Sequence, residues 1–318
     1  MTKALITGGA GFIGKHLERQ LRDAGWDVAI MDPKSGSGSI LDLPALNSAM
    51  KGVDVVFHMA AIAHLWVQDV KLYERVNVQG TQNILDAARA HGVKRIIATQ
   101  SEVILRGWND PGTTPLTEGE PTPAIEAMAG PYSHSKHRAD QMCRNAEDLD
   151  IVSLYPTVPV GAEDDAMTAP TAMLDMFLFN PPPAYLPTAL NFVAVEDVAR
   201  AHVLAAEKAE KGARYLISGE DWTMERIFDF LARHSEKRMP RSKIPYVLAR
   251  ISASLSEAVA TITKAPPMAT VEGVRFAKYA WDMSSEKATH DLGWRAGAIE
   301  PALESAVHWL KTRRKPHQ

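Results

Sequence analysis

The chain has 318 residues, 46% of them hydrophobic and 23% charged, and a formal net charge of −3. That length allows a full hydrophobic core and about two domains, and 35 basic against 38 acidic side chains exclude the electrostatic footprint of a nucleic-acid binder. A lone cysteine, Cys143, excludes an intramolecular disulfide and any cysteine-based metal site.

In chain order, MTKALITGG enters a β-like run at once, without the charged-then-apolar pattern of a leader. ALIT (4–7) predicts a strand, followed by a helix from residue 12 to about 24 and a second strand, DVAIMD (27–32). Only nine residues separate Asp32 from Asp42, too few for a helical crossover, so an abbreviated connection is expected there. DVVFHMA (54–60), a helix over about 76–91, RIIAT (95–99), a helix starting near Tyr132 and DIVSLYP (150–156) continue the alternation. Continuous apolar strands alternating with amphipathic helices predict an α/β fold, a parallel sheet covered on both faces.

Beyond residue 156 the pattern loosens into Pro- and Met-rich segments, a strand-plus-helix signal (191–209) and a mostly helical last third. We therefore divide the chain into 1–156 and a smaller substrate-binding region, 157–318, with about 191–217 returning to the main sheet. No uncharged apolar run reaches the roughly 20 residues that span a bilayer. YVLARISASLSEAVATI (246–262), interrupted by Arg250 and Glu257, reads as a packed amphipathic helix. No membrane insertion is expected, the chain reads as cytoplasmic, and the ending KTRRKPHQ reads as a solvated tail.

ALITGGAGFIG (4–14) sets Gly8, Gly11 and Gly14 between the first strand and the first helix. Gly8 suits a tight turn, Gly11 lets backbone approach a pyrophosphate, and Gly14 allows close helix–strand packing. The helix N-terminus offers free N–H groups to phosphates. Asp32 closes the second strand 18 residues past Gly14, where a carboxylate accepts from both ribose hydroxyls and repels a 2′-phosphate. NAD is the preferred cofactor, and Lys34 keeps NADP open.

TGGAGFIG, HMAA (58–61), NVQGT (77–81) and YSHSK (132–136), in this order, resemble the extended short-chain dehydrogenase/reductases, the NAD-dependent epimerase/dehydratase family. YPTVPVGAED (155–164), FVAVEDVARAH (192–202) and WDMSSEKATHDLGW (281–294) are similar to its dihydroflavonol-reductase-like and hopanoid-associated sugar-epimerase-like members. The resemblance implies a Rossmann-type doubly wound sheet with a smaller, mostly helical C-terminal substrate-binding region. It also implies cofactor contacts at Gly8, Gly11, Phe12, Ile13 and Gly14, and at Asp32 for the ribose. Further along it implies contacts at Asp42 and Leu43 beside the adenine, at Met59, Ala60 and Ala61 on a strand end, at Thr99, and at Pro156 and Val158 near the nicotinamide. Asn77 supports the site, and the pair is implied through the Tyr132 helix and the helix at 76–91 as a homodimer. Ser101, Tyr132 and Lys136 match the catalytic set.

Residues four apart share a helix face, so Lys136 lies near Tyr132. A free phenol titrates near about 10, and a neighbouring ammonium favours the phenolate. In the expected reduction a substrate carbonyl carbon takes hydride while Tyr132 delivers a proton to its oxygen and Ser101 hydrogen-bonds that oxygen. The substrate is a small molecule with a carbonyl or secondary alcohol, and the alternative is a nucleotide-sugar epimerase or dehydratase that keeps NAD bound. Glu102 occupies the position where the dehydratases carry an acid, but Val103 follows it, where they carry a second carboxylate. Nucleotide-sugar members often carry a late Arg-x-Gly-Asp, whereas VRFAKYAWDMS (274–284) keeps only Arg275, which favours the reductase. Gln100 and Leu105-Arg106 replace the usual Ser and Tyr-Gly of the pocket wall, to which Arg106, Trp66 and Trp108 are expected to contribute. His134 and His137, three apart without a carboxylate partner at ligand spacing, are read as surface residues, so no metal is assigned.

Overall fold

The computed structural model describes residues 1–112, 114–119 and 121–314. The last four residues of the basic tail lie outside them. The first half runs β1 (Lys3–Thr7), α1 (Phe12–Asp23), β2 (Asp27–Met31), α2 (Leu43–Ala49) and β3 (Val55–His58). It continues through α3 (Lys71–Tyr73), a π-helical stretch (Glu74–Gln79), α4 (Gly80–His91), β4 (Arg95–Thr99), α5 (Pro131–Asn145) and β5 (Ile151–Pro156). The second half holds β6 (Val158–Val160), α6 (Ala169–Phe179), β7 (Ala184–Tyr185), β8 (Ala189–Ala194), α7 (Val195–Lys208) and β9 (Arg214–Ile217). After these come β10 (Glu220–Thr223), α8 (Met224–Ala232), β11 (Ser242–Lys243), α9 (Tyr246–Thr263), α10 (Val271–Phe276), α11 (Glu286–Leu292) and α12 (Glu300–Arg314).

Six strands pair in the order β2-β1-β3-β4-β5-β9, all parallel. Strand alternation explains why both faces are apolar. Ile6, Phe57 and Ile97 point to one side, where Leu17 and Leu21 of α1 and Val198 and Ala201 of α7 cover them. Their neighbours Leu5, Val56 and Ile96 point to the other, under Leu46, Ile84, Leu85 and Cys143. The chain winds outward in one direction from β1 to β2 and in the other from β3 onward. Their carboxyl ends therefore diverge into a crevice, the place where open α/β sheets bind ligands. A single 3-10 turn, Pro33–Ser35, supplies the abbreviated connection before α2.

Of the segment 191–217 expected at the main sheet, β9 pairs with the free edge of β5 and α7 packs over the sheet. β8 departs from that expectation. With β9 on the edge of β5, β8 pairs with β6 and β10 in a separate three-stranded sheet. A second core forms around it, where α6 buries Leu174, Phe177 and Leu178 against Trp222, Phe228 and Phe230.

Candidate active site

The turn from β1 into α1 is tight. Gly8 has φ +75°, and a Cβ there would stand 2.8 Å from the Ala60 nitrogen. The end of β3 is thereby drawn against the loop, with the Met59 N–H donating to the Thr7 carbonyl. A Cβ on Gly14 would meet the Gly8 carbonyl at 2.5 Å, so α1 starts in backbone contact with the loop. α1 begins at Phe12 and Ile13 with no side-chain cap and no acidic residue in its first turn. Its N–H groups are thus left for an anion. Asp32 follows β2 and is buried. Its Oδ2 accepts from the Ala10 N–H at 3.1 Å and its Oδ1 from the Lys34 N–H at 2.8 Å. The glycine cradle, the free helix end and an anchored carboxylate fit a dinucleotide.

At the next strand ends, Ser101 follows β4, and Tyr132 and Lys136 lie on the first turns of α5; all three are buried. The Ser101 Oγ donates to Glu102 Oε2 at 3.0 Å, and a Ser101 hydrogen bond also favours the Tyr132 phenolate. Lys136 Nζ donates to the Thr99 carbonyl at 2.7 Å. The Thr99 hydroxyl in turn donates to His202 Nε2 at 2.8 Å, because the His202 Nδ1–H is committed to the Val198 carbonyl. Pro156 ends β5, the strand paired with β4, and Val158 opens β6.

Burial dominates the electrostatics of this group. Burial raises the Tyr132 phenol above its ordinary value, with the charges of Glu102 and Glu272 adding to it. Burial also lowers the pKa of Lys136, to about 8. Glu102 is pushed up to about 8 by burial, against the opposing Ser101 hydrogen bond. At neutral pH the protein groups therefore hold both the phenol and the Glu102 carboxyl protonated.

The supporting residues come from distant segments. Asn77, in the π-helical stretch, accepts from the Ile62 N–H at 2.7 Å and donates to the Ser135 Oγ at 2.8 Å. It ties the chain beyond Ala61 to α5. The buried Glu272 of α10 accepts from the N–H groups of Tyr132 (3.1 Å) and Ser133 (2.7 Å) and from the Ser133 hydroxyl (2.7 Å). Gly130 must lack a side chain, since a Cβ would lie 2.7 Å from Glu272 Oε2. Tyr73 stacks obliquely on Tyr132, ring centroids 6.4 Å apart, with its hydroxyl on the His64 carbonyl. Sequence reasoning missed both Glu272 and Tyr73. Nothing near either residue marks it, although a Gly-Pro before a serine-rich helix start is a cue that something must cap α5.

Other assigned residues have partners of their own in the fold. Asp42 is the N-cap of α2, its Oδ1 accepting from the Ala45 N–H at 3.1 Å, and Leu43 is exposed at the helix start. The carboxylate assigned to the adenine also caps a helix, as Asp before a Pro-containing first turn ordinarily does. Arg106 is buried, donating to the Thr114 carbonyl and lying over Trp281. Trp108 is covered by Arg275 and Lys278. His137 donates to the Pro123 carbonyl.

Fold and cleft together define a doubly wound α/β protein with a dinucleotide crevice. The model of the NAD-dependent epimerase/dehydratase family matches residues 4–218, and the chain belongs to that family, the extended short-chain dehydrogenase/reductases. It is 30% identical to a putative dihydroflavonol 4-reductase of Synechocystis sp., over 96% of this chain and 94% of that one. It is 26% identical to sterol demethylase protein B of Methylococcus capsulatus, over 97% and 98%. Among solved structures, that of gox2253 superposes with a TM-score of 0.81 at 29% identity, covering 99% of each chain.

Proposed function

We propose that the protein is an NAD-preferring oxidoreductase that interconverts a carbonyl and a secondary alcohol on a small organic substrate. The observation that carries this reading is the meeting of Ser101, Tyr132 and Lys136 at the strand ends beside the glycine loop. Gly8, Gly11, Phe12, Ile13, Gly14 and Asp32 hold the dinucleotide, with Met59 to Ala61, Thr99, Pro156 and Val158 along it. When bound, its nicotinamide supplies or takes up hydride. Tyr132, protonated at neutral pH, gives its proton to the substrate oxygen in reduction and recovers it in oxidation. Ser101 hydrogen-bonds that oxygen and stabilises its negative charge. Lys136, fixed by the Thr99 carbonyl, lies one helical turn from Tyr132 and holds the ribose side of the cleft. Residues 157–318 supply the substrate side, and α4 and α5 pair two copies of this cytoplasmic enzyme.

Arg275 supports the reductase over a nucleotide-sugar enzyme. Its Nη1 donates to the Ala129 carbonyl at 2.5 Å and its guanidinium covers Trp108, so the group is engaged in bracing the approach to α5. Glu102 favours the second reading, epimerase or dehydratase, because a carboxyl held protonated beside Ser101 is a ready acid. A screen of aldehydes, ketones and alcohols with both cofactors, read in the reduced-nicotinamide absorbance, decides between them. Substrate-dependent turnover without activity on nucleotide sugars is the expected result. Cofactor retained stoichiometrically through purification, with epimer formation and no net redox, would overturn it.

A further inference from the structure

The segment read from sequence as a packed helix is turned the other way in the structure. α9 faces inward with Ala249, Ala253 and Ala260, which pack with Val274 of α10. Val247, Leu248, Ile251, Leu255, Val259 and Ile262 face outward, each between 53% and 81% exposed. Five of them recur from Leu248 to Ile262 at steps of three and four, one face of a helix about 27 Å long. With Met268 just beyond, this stretch holds seven of the eleven exposed large hydrophobic residues among those described. Scattered surface apolar residues are normal, but a continuous row marks an interaction surface.

Charge identifies what covers it. Residues 236–264 contain six Lys and Arg against two Glu, in a chain whose total is −3. Lys237, Arg238, Arg241, Arg250 and Lys264 are exposed and take part in no ion pair among the described residues. Glu257 is turned away, its Oε1 accepting from the Val271 N–H at 2.8 Å. A second copy packed face to face would set cation against cation, with no exposed acid on α9 to answer them. No described helix is long and apolar enough to cross a membrane. An apolar row on a helix flanked by unpaired cations suits a helix lying in the headgroup plane of an anionic bilayer.

We propose that α9 is a membrane-surface helix that docks the protein on anionic lipid, with Lys237, Arg238 and Arg241 at its leading end. The docked face adjoins the cleft, since α10 contacts α9 on one side and holds the Tyr132 amide through Glu272 on the other. This placement stands independently of which reaction the cleft carries out.

Flotation of the full chain with vesicles of phosphatidylcholine alone, and with about 30% phosphatidylglycerol, tests it. Wild type floats with the anionic vesicles at least tenfold more than with the neutral ones, and raised salt weakens the binding. Leu255→Asp with Ile262→Asp, substitutions at exposed positions, lowers binding at least tenfold while the thermal midpoint is kept. Arg238→Glu with Arg241→Glu removes the preference for anionic vesicles. Absence of flotation by the folded wild type overturns the proposal, as does flotation unaffected by both pairs. A doubled solution mass that the Asp pair reverts, without vesicle binding, would assign the face to a second copy and overturn it equally.

Discussion

Tyr132 illustrates how the same side chain reads differently by spacing and by environment. Lys136 lies one turn along α5, but burial is the largest influence on the phenol and keeps it protonated, as its proposed role of proton donor requires. Replacing it with Phe keeps the ring packed against Tyr73 and removes only the proton, so kcat should fall by about 10²–10⁴-fold with little change in cofactor affinity. Turnover kept intact would refute the assignment. Asp32→Ala should raise the dissociation constant for NADH by about tenfold or more and leave NADPH nearly unchanged, measured by fluorescence titration, because the carboxylate removed is the one proposed to serve the ribose hydroxyls. Glu102 gives a pH signature. Its folded pKa of about 8 lies above the unfolded value of 4.5, so the native state keeps a proton that the unfolded chain releases. That contribution to stability is complete below about pH 4.5 and is lost as pH rises through 8. Glu102→Gln and wild type should therefore melt alike near pH 4, with the variant the more stable above pH 8; parallel melting curves across this range would contradict the buried, protonated carboxyl.

At the scale of elements, α5 is held at its first turn by a residue from another part of the chain. A carboxylate near a helix N-terminus is favoured by the free N–H groups and the dipole, and Glu272 accepts three hydrogen bonds there. Glu272→Gln places an amide NH₂ against those donors and should cost about 1–3 kcal/mol of stability in denaturant melts. A positioning role further predicts a lower kcat at unchanged KM for cofactor, with activity partly restored by Glu272→Asp. The elements themselves were legible. RIIAT is β4 residue for residue, and the glycine spacing placed the loop and the start of α1. Partner choice was not legible. A 3.6-residue apolar period is the same whether a helix turns its large residues inward or outward, and in α9 Ala249, Ala253 and Ala260 pack while the leucines and isoleucines face out. Likewise the spacing of Asp42 and Pro44 fits a helix start, and the chain path shows that Asp42 caps α2.

Across the whole molecule, the two ends of the sheet order have different histories. β2, β1, β3, β4 and β5 come from the first half, whereas the outer strand β9 arrives only after the chain has passed through β6, α6 and β8, which belong to the second core. Strand composition predicted the parallel sheet but not this detour, because nothing within 191–217 distinguishes a strand bound for β6 from one bound for β5. The proposed pairing through α4 and α5 can be checked by sedimentation: a two-subunit mass that survives the α9 Asp substitutions is expected, and a single-subunit mass at micromolar concentration would dismiss the pairing.

The clasp on α5 also has a bearing on the order of events during synthesis. Glu272 lies 140 residues after Tyr132. By the time it leaves the ribosome the glycine loop, Asp32 and the first five strands of the sheet are already made. The backbone of the proposed proton donor is thus clasped only when the last third of the polypeptide arrives.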